Sequence, residues 1–248
     1  MAEYDYKAGK KRVKEIIDNK LEIIERDKLP SIEELTFENA YQSWVTAVFV
    51  DIRDSTSLFT DEDKSKVSKI VRGFTSEIIE ILRGDDLLRE IGIRGDCVYA
   101  VYTSPKKSNI YDFFDKAMYV NTYMKMLNEL LRQKTYPKVK VGIGMGTAKE
   151  LVVKAGRKGV NINNPVWIGD AVTKASKLSA LGNKNNRKPL VISELTYSNM
   201  IESLQESSED ANVKSWFTKY TDTKLGTYYC ADLVKSGFNK WIADGMKD

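Results

Sequence analysis

The chain has 248 residues, with 39 Lys and Arg against 35 Asp and Glu, a formal net charge of +4. It contains no histidine and only two cysteines. Ser-His-Asp and Cys-His catalysis, an imidazole zinc site, a histidine pH switch and a disulfide scaffold are thereby excluded.

Chemistry falls to carboxylates, Lys and Arg, hydroxyls or a hard metal ion. Cys97 and Cys230 sit in apolar, strand-like surroundings, which points to a reducing compartment. The first residues hold no apolar signal core, and no window approaches ~20 apolar residues. A cytoplasmic location without direct membrane insertion is expected. Lysines are spread along the chain, which reads as a solvated surface and gives no reason to expect nucleic acid as a partner.

Val13, Ile16, Ile17, Leu21 and Ile24 recur at three- and four-residue steps, predicting an amphipathic helix over 7–28, ended by Pro30. After a charged linker, the β-branched and aromatic run 43–51 reads as a buried strand. A turn cluster over 51–56 precedes a helix over 63–83. Two short strands over 87–102 meet at a turn near Arg94-Gly95-Asp96. A helix over 110–134 follows, then strands over 138–145 and 150–155. Residues 156–165 form a Gly- and Asn-rich loop closed by Pro165. Strand 166–168, helix 170–180, strand 189–192, a helix near 194–204 and two terminal strands, 215–221 and 226–233, complete the pattern. It fits an α+β sheet with helices on one face, in one domain: residues 1–42 an N-terminal helix and linker, 43–233 the sheet-bearing domain, 234–248 a tail.

Asp51 ends the most hydrophobic strand. It is either a carboxylate capping the next turn or a metal ligand held on a rigid strand end. In the second case the backbone N–H groups from Ile52 to Thr56 face an anion, as in phosphate-binding loops. Asp96 stands at the Gly95-Asp96 junction of the predicted hairpin. Adjacent strands lie about 5 Å apart, so pairing of 44–51 with 97–102 lets both aspartates share magnesium, which takes carboxylates plus substrate phosphates. Gly142-Ile143-Gly144-Met145-Gly146 has GxGxG spacing followed by a strand, so it reads as close packing or a hairpin and not as a dinucleotide loop.

These pieces resemble class III nucleotidyl cyclase catalytic domains. Phe49-Val50-Asp51-Ile52-Arg53-Asp54-Ser55-Thr56 is similar to the family's F-x-D-I-x-G-x-T, Gly95-Asp96 follows, and Trp167 to Leu178 looks like W-G-x-x-V-N-x-A-x-R-L. The resemblance covers residues 43–233 and implies a ferredoxin-like βαββαβ core with an added N-terminal helix and C-terminal hairpin, paired head to tail as a homodimer. It implies that Asp51, Asp96 and the backbone carbonyl of Ile52 bind two divalent ions, Mg²⁺ or Mn²⁺. The nucleotide 3′-hydroxyl then attacks the α-phosphorus and expels pyrophosphate.

The departures from the family bear on the substrate. Gly92 and Val166 fall where adenylyl cyclases carry the Lys and Asp that read adenine, so that recognition is lost. Arg94 either reaches a base carbonyl or a phosphate, or is a plain surface arginine. The transition-state Asn and Arg fall on Thr173 and Lys177, one helical turn apart; a solvated helix face is the other reading. Lys224 stands for the triphosphate lysine, and Asp54 replaces a Gly in the phosphate turn, beside Arg53, Ser55 and Thr56. With these losses the chain most resembles the bacterial Pycsar antiphage cyclases. That likeness implies a pyrimidine triphosphate substrate and a cyclic product sensed by a separate effector. Arginine, a donor only, suits uracil O4, hence UTP and cyclic UMP. The alternatives are CTP and cyclic CMP, or a degenerate cyclase-like module that binds without chemistry. An RNA-binding sheet would need an RNP-like string, and none is visible.

Overall fold

A computed structural model describes residues 3–159 and 162–247. Asp5 caps helix α1 (Tyr6–Asp18), its carboxylate accepting from the N–H groups of Lys7 and Ala8. The helix expected over 7–28 stops there. Residues beyond it form strand β1 (Glu22–Glu25), parallel to the start of β2 (Asn39–Ile52). So short an apolar run fits either period, and pairing with β2 decides. Val13, Ile16 and Ile17 of α1 remain exposed.

Helices α2 (Ser55–Asp61) and α3 (Lys64–Leu82) follow β2. Strands β3 (Leu88–Arg94) and β4 (Cys97–Thr103) form the expected hairpin, and α4 (Lys107–Gln133) leads to β5 (Val141–Arg157). The two strands expected over 138–155 are thus one long strand. It has room because β6 (Ile162–Ile168) folds back along its second half. That pairing also takes residues 162–165 out of the expected loop 156–165; residues 160 and 161 of that loop lie outside the described residues. Helix α5 (Asp170–Ser179), strand β7 (Leu190–Ser193), helix α6 (Glu194–Glu206), strands β8 (Thr218–Asp222) and β9 (Gly226–Ala231), and helix α7 (Ser236–Ala243) complete the chain.

The strands make one sheet in the order β3-β4-β2-β5-β7-β9-β8, with β1 on β2 and β6 on β5. Alternation along β2 and β5 sorts its faces. Val48, Val50, Ile52, Ile143 and Met145 join α3, α4 and α6 in the main core. Val45 and Ala47 face the other way, where Ala171 and Ala175 of α5 pack with them. Helices therefore cover both faces, not one. The reason is the glycine repeat of β5. A Cβ on Gly142, Gly144 or Gly146 would collide with the backbone of Ser179, Ala175 or Ala171 in α5.

Candidate active site

Asp51 lies opposite Cys97 on β4 and Gly142 on β5. Gly95, with φ +62°, and Asp96 form the two-residue turn closing the paired Arg94 and Cys97. The Asp96 carbonyl accepts the Ile52 N–H at 3.3 Å, which ties that turn to the end of β2. Asp51, Ile52 and Asp96 thus meet at one end of the sheet, as the sequence predicts. Burial pushes the neighbouring Cys97 thiol up to about 11, so it is no nucleophile at neutral pH.

Arg53, expected beside the nucleotide, is largely buried, although it still lines the cleft at the Asp54 turn. Its guanidinium pairs with the Asp51 carboxylate and donates to the Ala180 carbonyl at 2.7 Å, and its N–H donates to the Lys140 carbonyl at 2.8 Å. The side chain follows Asp51 on the same face, where the end of α5 offers an acceptor. Among the described residues no group of three or more acidic, Cys or His side chains gathers to hold a metal. Two carboxylates and a carbonyl suit a hard ion whose other positions go to water and phosphate, so the residues present fit Mg²⁺ or Mn²⁺.

Beyond Arg53 the chain turns at Asp54, φ +54° and ψ +33°, and enters α2 through Ser55 and Thr56. Asp54 makes no side-chain cap. A cleft of about 340 Å³ opens here, lined by Arg53, Asp54, Ser57, Lys138 and Lys140. Lys138 and Lys140 are exposed around the buried Val139. Sequence reasoning missed both. The available signal was a cation directly before the Val141-Gly142 strand.

Ala171, Ala175, Leu178 and Ser179 bury one side of α5, leaving Thr173 and Lys177 exposed on the side turned away from the sheet. Lys174 pairs with Asp170 at 3.0 Å. Lys224 lies in the β8–β9 turn, where the Asp222 carboxylate accepts its N–H at 2.7 Å. Strand β9 runs parallel to β2, so that turn lies toward the opposite end of the sheet from Asp51. One chain does not gather Thr173, Lys177 and Lys224 around Asp51 and Asp96.

Glu150, also unanticipated, is fully buried and accepts from the Ala171 N–H at the start of α5. Its Oε2 is the buried side-chain oxygen without a partner among the described residues. A Cβ on Gly169 would strike this carboxyl, so glycine admits it. Burial, outweighing the helix N–H groups, pushes Glu150 up to about 7.

Arg94 and Val166 line a second cleft of about 750 Å³ with Glu90, Tyr99 and Asn164. Gly92 lies under Tyr99: a Cβ there would sit 2.8 Å from the phenol oxygen. The Tyr99 ring stacks on Phe49 at 5.2 Å, and its hydroxyl donates to Glu90 at 2.6 Å. The other Glu90 oxygen accepts the Trp167 indole N–H at 2.5 Å. The β3–β4 hairpin supplies Glu90 and Tyr99, while Trp167 comes from the distant β6 and Phe49 from β2.

Residues 38–230 match the adenylate and guanylate cyclase catalytic domain family. A uridylate cyclase of Treponema porcinum is 55% identical over 245 residues, covering 99% of this chain and 83% of its own length. A uridylate cyclase of Gulbenkiania mobilis is 27% identical over 249 residues, covering 97% and 96%. The solved adenylyl cyclase CyaB from P. aeruginosa shares the fold, with a TM-score of 0.60 at 18% identity over 77% of this chain and 94% of that one. No described helix is long and apolar enough to cross a membrane. With the family model matched over most of the chain and a relative 55% identical over 99% of it, this chain belongs to the adenylate and guanylate cyclase catalytic-domain family and is a nucleotide cyclase.

Proposed function

We propose that this chain converts UTP to 3′,5′-cyclic UMP and pyrophosphate, as a homodimer with two composite sites. The observation that carries this reading is its 55% identity, nearly end to end, to a uridylate cyclase. Asp51, Asp96 and the Ile52 carbonyl would hold Mg²⁺ or Mn²⁺. When bound, such ions acidify the 3′-hydroxyl and neutralise charge on the triphosphate.

The chain's own groups do the rest. Arg53 fixes the Asp51 carboxylate and tempers its repulsion with Asp96. Lys140 and Lys138 place cations on the cleft at the Asp54 turn, which Asp54, Asp61 and Glu62 also line. Thr173, Lys177 and Lys224 serve the site of the second subunit, where Lys177 meets charge on the transferring phosphoryl group. The exposure of Thr173 and Lys177, away from their own sheet, supports that division. By its likeness to the antiphage cyclases, we place the product as a second messenger in bacterial defence, made in the cytoplasm and sensed by a separate effector.

The test is a competition among the four nucleoside triphosphates with Mn²⁺ and identification of the product. Cyclic UMP should dominate, and Asp51→Ala should lower turnover by ~100-fold or more, because a lost ligand costs at least as much as a lost outer-shell partner. Full activity in Asp51→Ala would falsify the metal assignment. A specific observation favours a second reading, a binding module without chemistry: Lys177 lacks the bidentate fork of the family's arginine. Nucleotide binding without pyrophosphate release would establish that reading instead.

A further inference from the structure

The cleft between β3, β4 and β6 carries a donor and an acceptor in fixed order. Gly92, Arg94 and Tyr99 share one sheet face, since Tyr99 pairs with Gly92 and Arg94 stands two residues further along β3. The phenol is held from two sides, stacked on Phe49 and donating its proton to Glu90. Glu90 is held in turn, with Tyr99 donating to one oxygen and Trp167 to the other. Burial and the Glu90 carboxylate push the Tyr99 hydroxyl up to about 12, so it keeps its proton at neutral pH. With that proton given to Glu90, the phenol oxygen turns only acceptor lone pairs toward the cleft.

Ser31 and Glu33 also line the cleft, and three of the remaining groups do not choose between the bases. Arg89 is committed to the Leu29 carbonyl at 2.8 and 2.6 Å. Val166 has no polar group, and the Asn164 amide both donates and accepts, so neither chooses between uracil and cytosine. Arg94 is exposed in the cleft, and its charge acts on the Tyr99 hydroxyl.

Uracil presents a donor at N3–H and an acceptor at O4. Cytosine presents the reverse, an acceptor at N3 and a donor at N4. We infer that Tyr99 and Arg94 together select uracil, the Tyr99 oxygen accepting from N3–H and Arg94 donating to O4, with Glu90 as the positioning residue that orients the phenol. Against cytosine the same pair sets acceptor to acceptor and donor to donor. The Tyr99 ring, lying over Gly92, also fills room that a larger purine needs. This inference rests on the pyrimidine-cyclase reading above and names its specificity residues.

The experiment runs the four-nucleotide competition with full-length variants, each checked for an unchanged thermal midpoint. Tyr99→Phe keeps the ring and removes the acceptor, so the ratio of cyclic UMP to cyclic CMP should fall about tenfold while purine products stay minor. Tyr99→Ala should raise the purine share as well. Arg94→Gln, at an exposed position that folding tolerates, should compress the same ratio. Glu90→Gln, which loosens the phenol, should weaken selection more than it lowers total turnover. A wild-type chain that prefers UTP, with variants that keep its ratio, overturns this inference alone. A wild-type chain that prefers CTP or a purine, or turns over no nucleotide, overturns the functional reading and this inference together.

Discussion

The two faces of β5 hold the molecule together by opposite means. On one face Val141, Ile143 and Met145 enter a large apolar core under α4, where many side chains share each contact. On the other, Gly142, Gly144 and Gly146 let α5 settle directly on the strand backbone. The first face is adjustable, because neighbouring side chains can repack. The second has no such slack, since only backbone stands opposite. The helix that carries the exposed Thr173 and Lys177 is therefore the one seated with least freedom.

A one-methyl change on each face should break or confirm this contrast. Gly144→Ala puts a Cβ into the Ala175 carbonyl and the Ser179 backbone, which cannot yield unless α5 lifts. We expect a loss of about 3 kcal/mol or more, read in a denaturant titration, with activity lost alongside. Ile143→Val, one residue away on the adjustable face, should cost only about 1 kcal/mol and leave turnover nearly intact. Equal costs for the two would sink the comparison.

Next in size is Glu150, on the same face as the glycines, at the start of α5. Its folded value, about 7, lies above the ordinary 4.5. Between those values the folded chain holds a proton that the unfolded chain has released. Stability from this group is therefore fully present below the ordinary value and is lost as pH rises toward 7. Asp170, at the first position of α5, reinforces the upward shift. Glu150→Gln should flatten that slope and raise stability above pH 7 by on the order of 1 kcal/mol, because no buried charge then remains unpaired. Thermal midpoints at pH 5 and pH 8 decide it; an unchanged slope would mean that Glu150 stays ionised throughout.

The same contrast explains what the sequence made legible. The Asp51 and Asp96 end of the sheet is local: an apolar run stops at Asp51, and a two-residue Gly95-Asp96 turn places the second carboxylate beside it. Those features need only strand pairing to meet. The glycine repeat announced a close approach but not its partner, since the small Ala171 and Ala175 give α5 no distinctive apolar stripe. Hence the expectation of helices on one face failed. Glu90 and Tyr99 share the β3–β4 hairpin, but Trp167 reaches them from β6, and no spacing rule links a residue whose proximity depends on the whole sheet. Near the N-terminus the apolar period ran through Leu21 and Ile24, yet pairing with β2 claimed residues 22–25.

The smallest expected effect lies in the turn at Asp54, where backbone and charge can be separated. Asp54 is left-handed, which costs a non-glycine residue about 1 kcal/mol, less for Asp than for most, and its exposed carboxylate lines the cleft with Lys138 and Lys140. Asp54→Gly relieves the backbone but adds freedom to the unfolded chain, so stability should change by less than about 1 kcal/mol. Asp54→Asn keeps a residue suited to the turn and removes only the charge. If the carboxylate repels the incoming triphosphate, both variants should lower KM several-fold at constant kcat, most clearly at low salt. A lower KM in Asp54→Gly alone would assign the effect to the backbone. An unchanged KM in both would leave Asp54 as a turn former only and put the triphosphate away from this cleft.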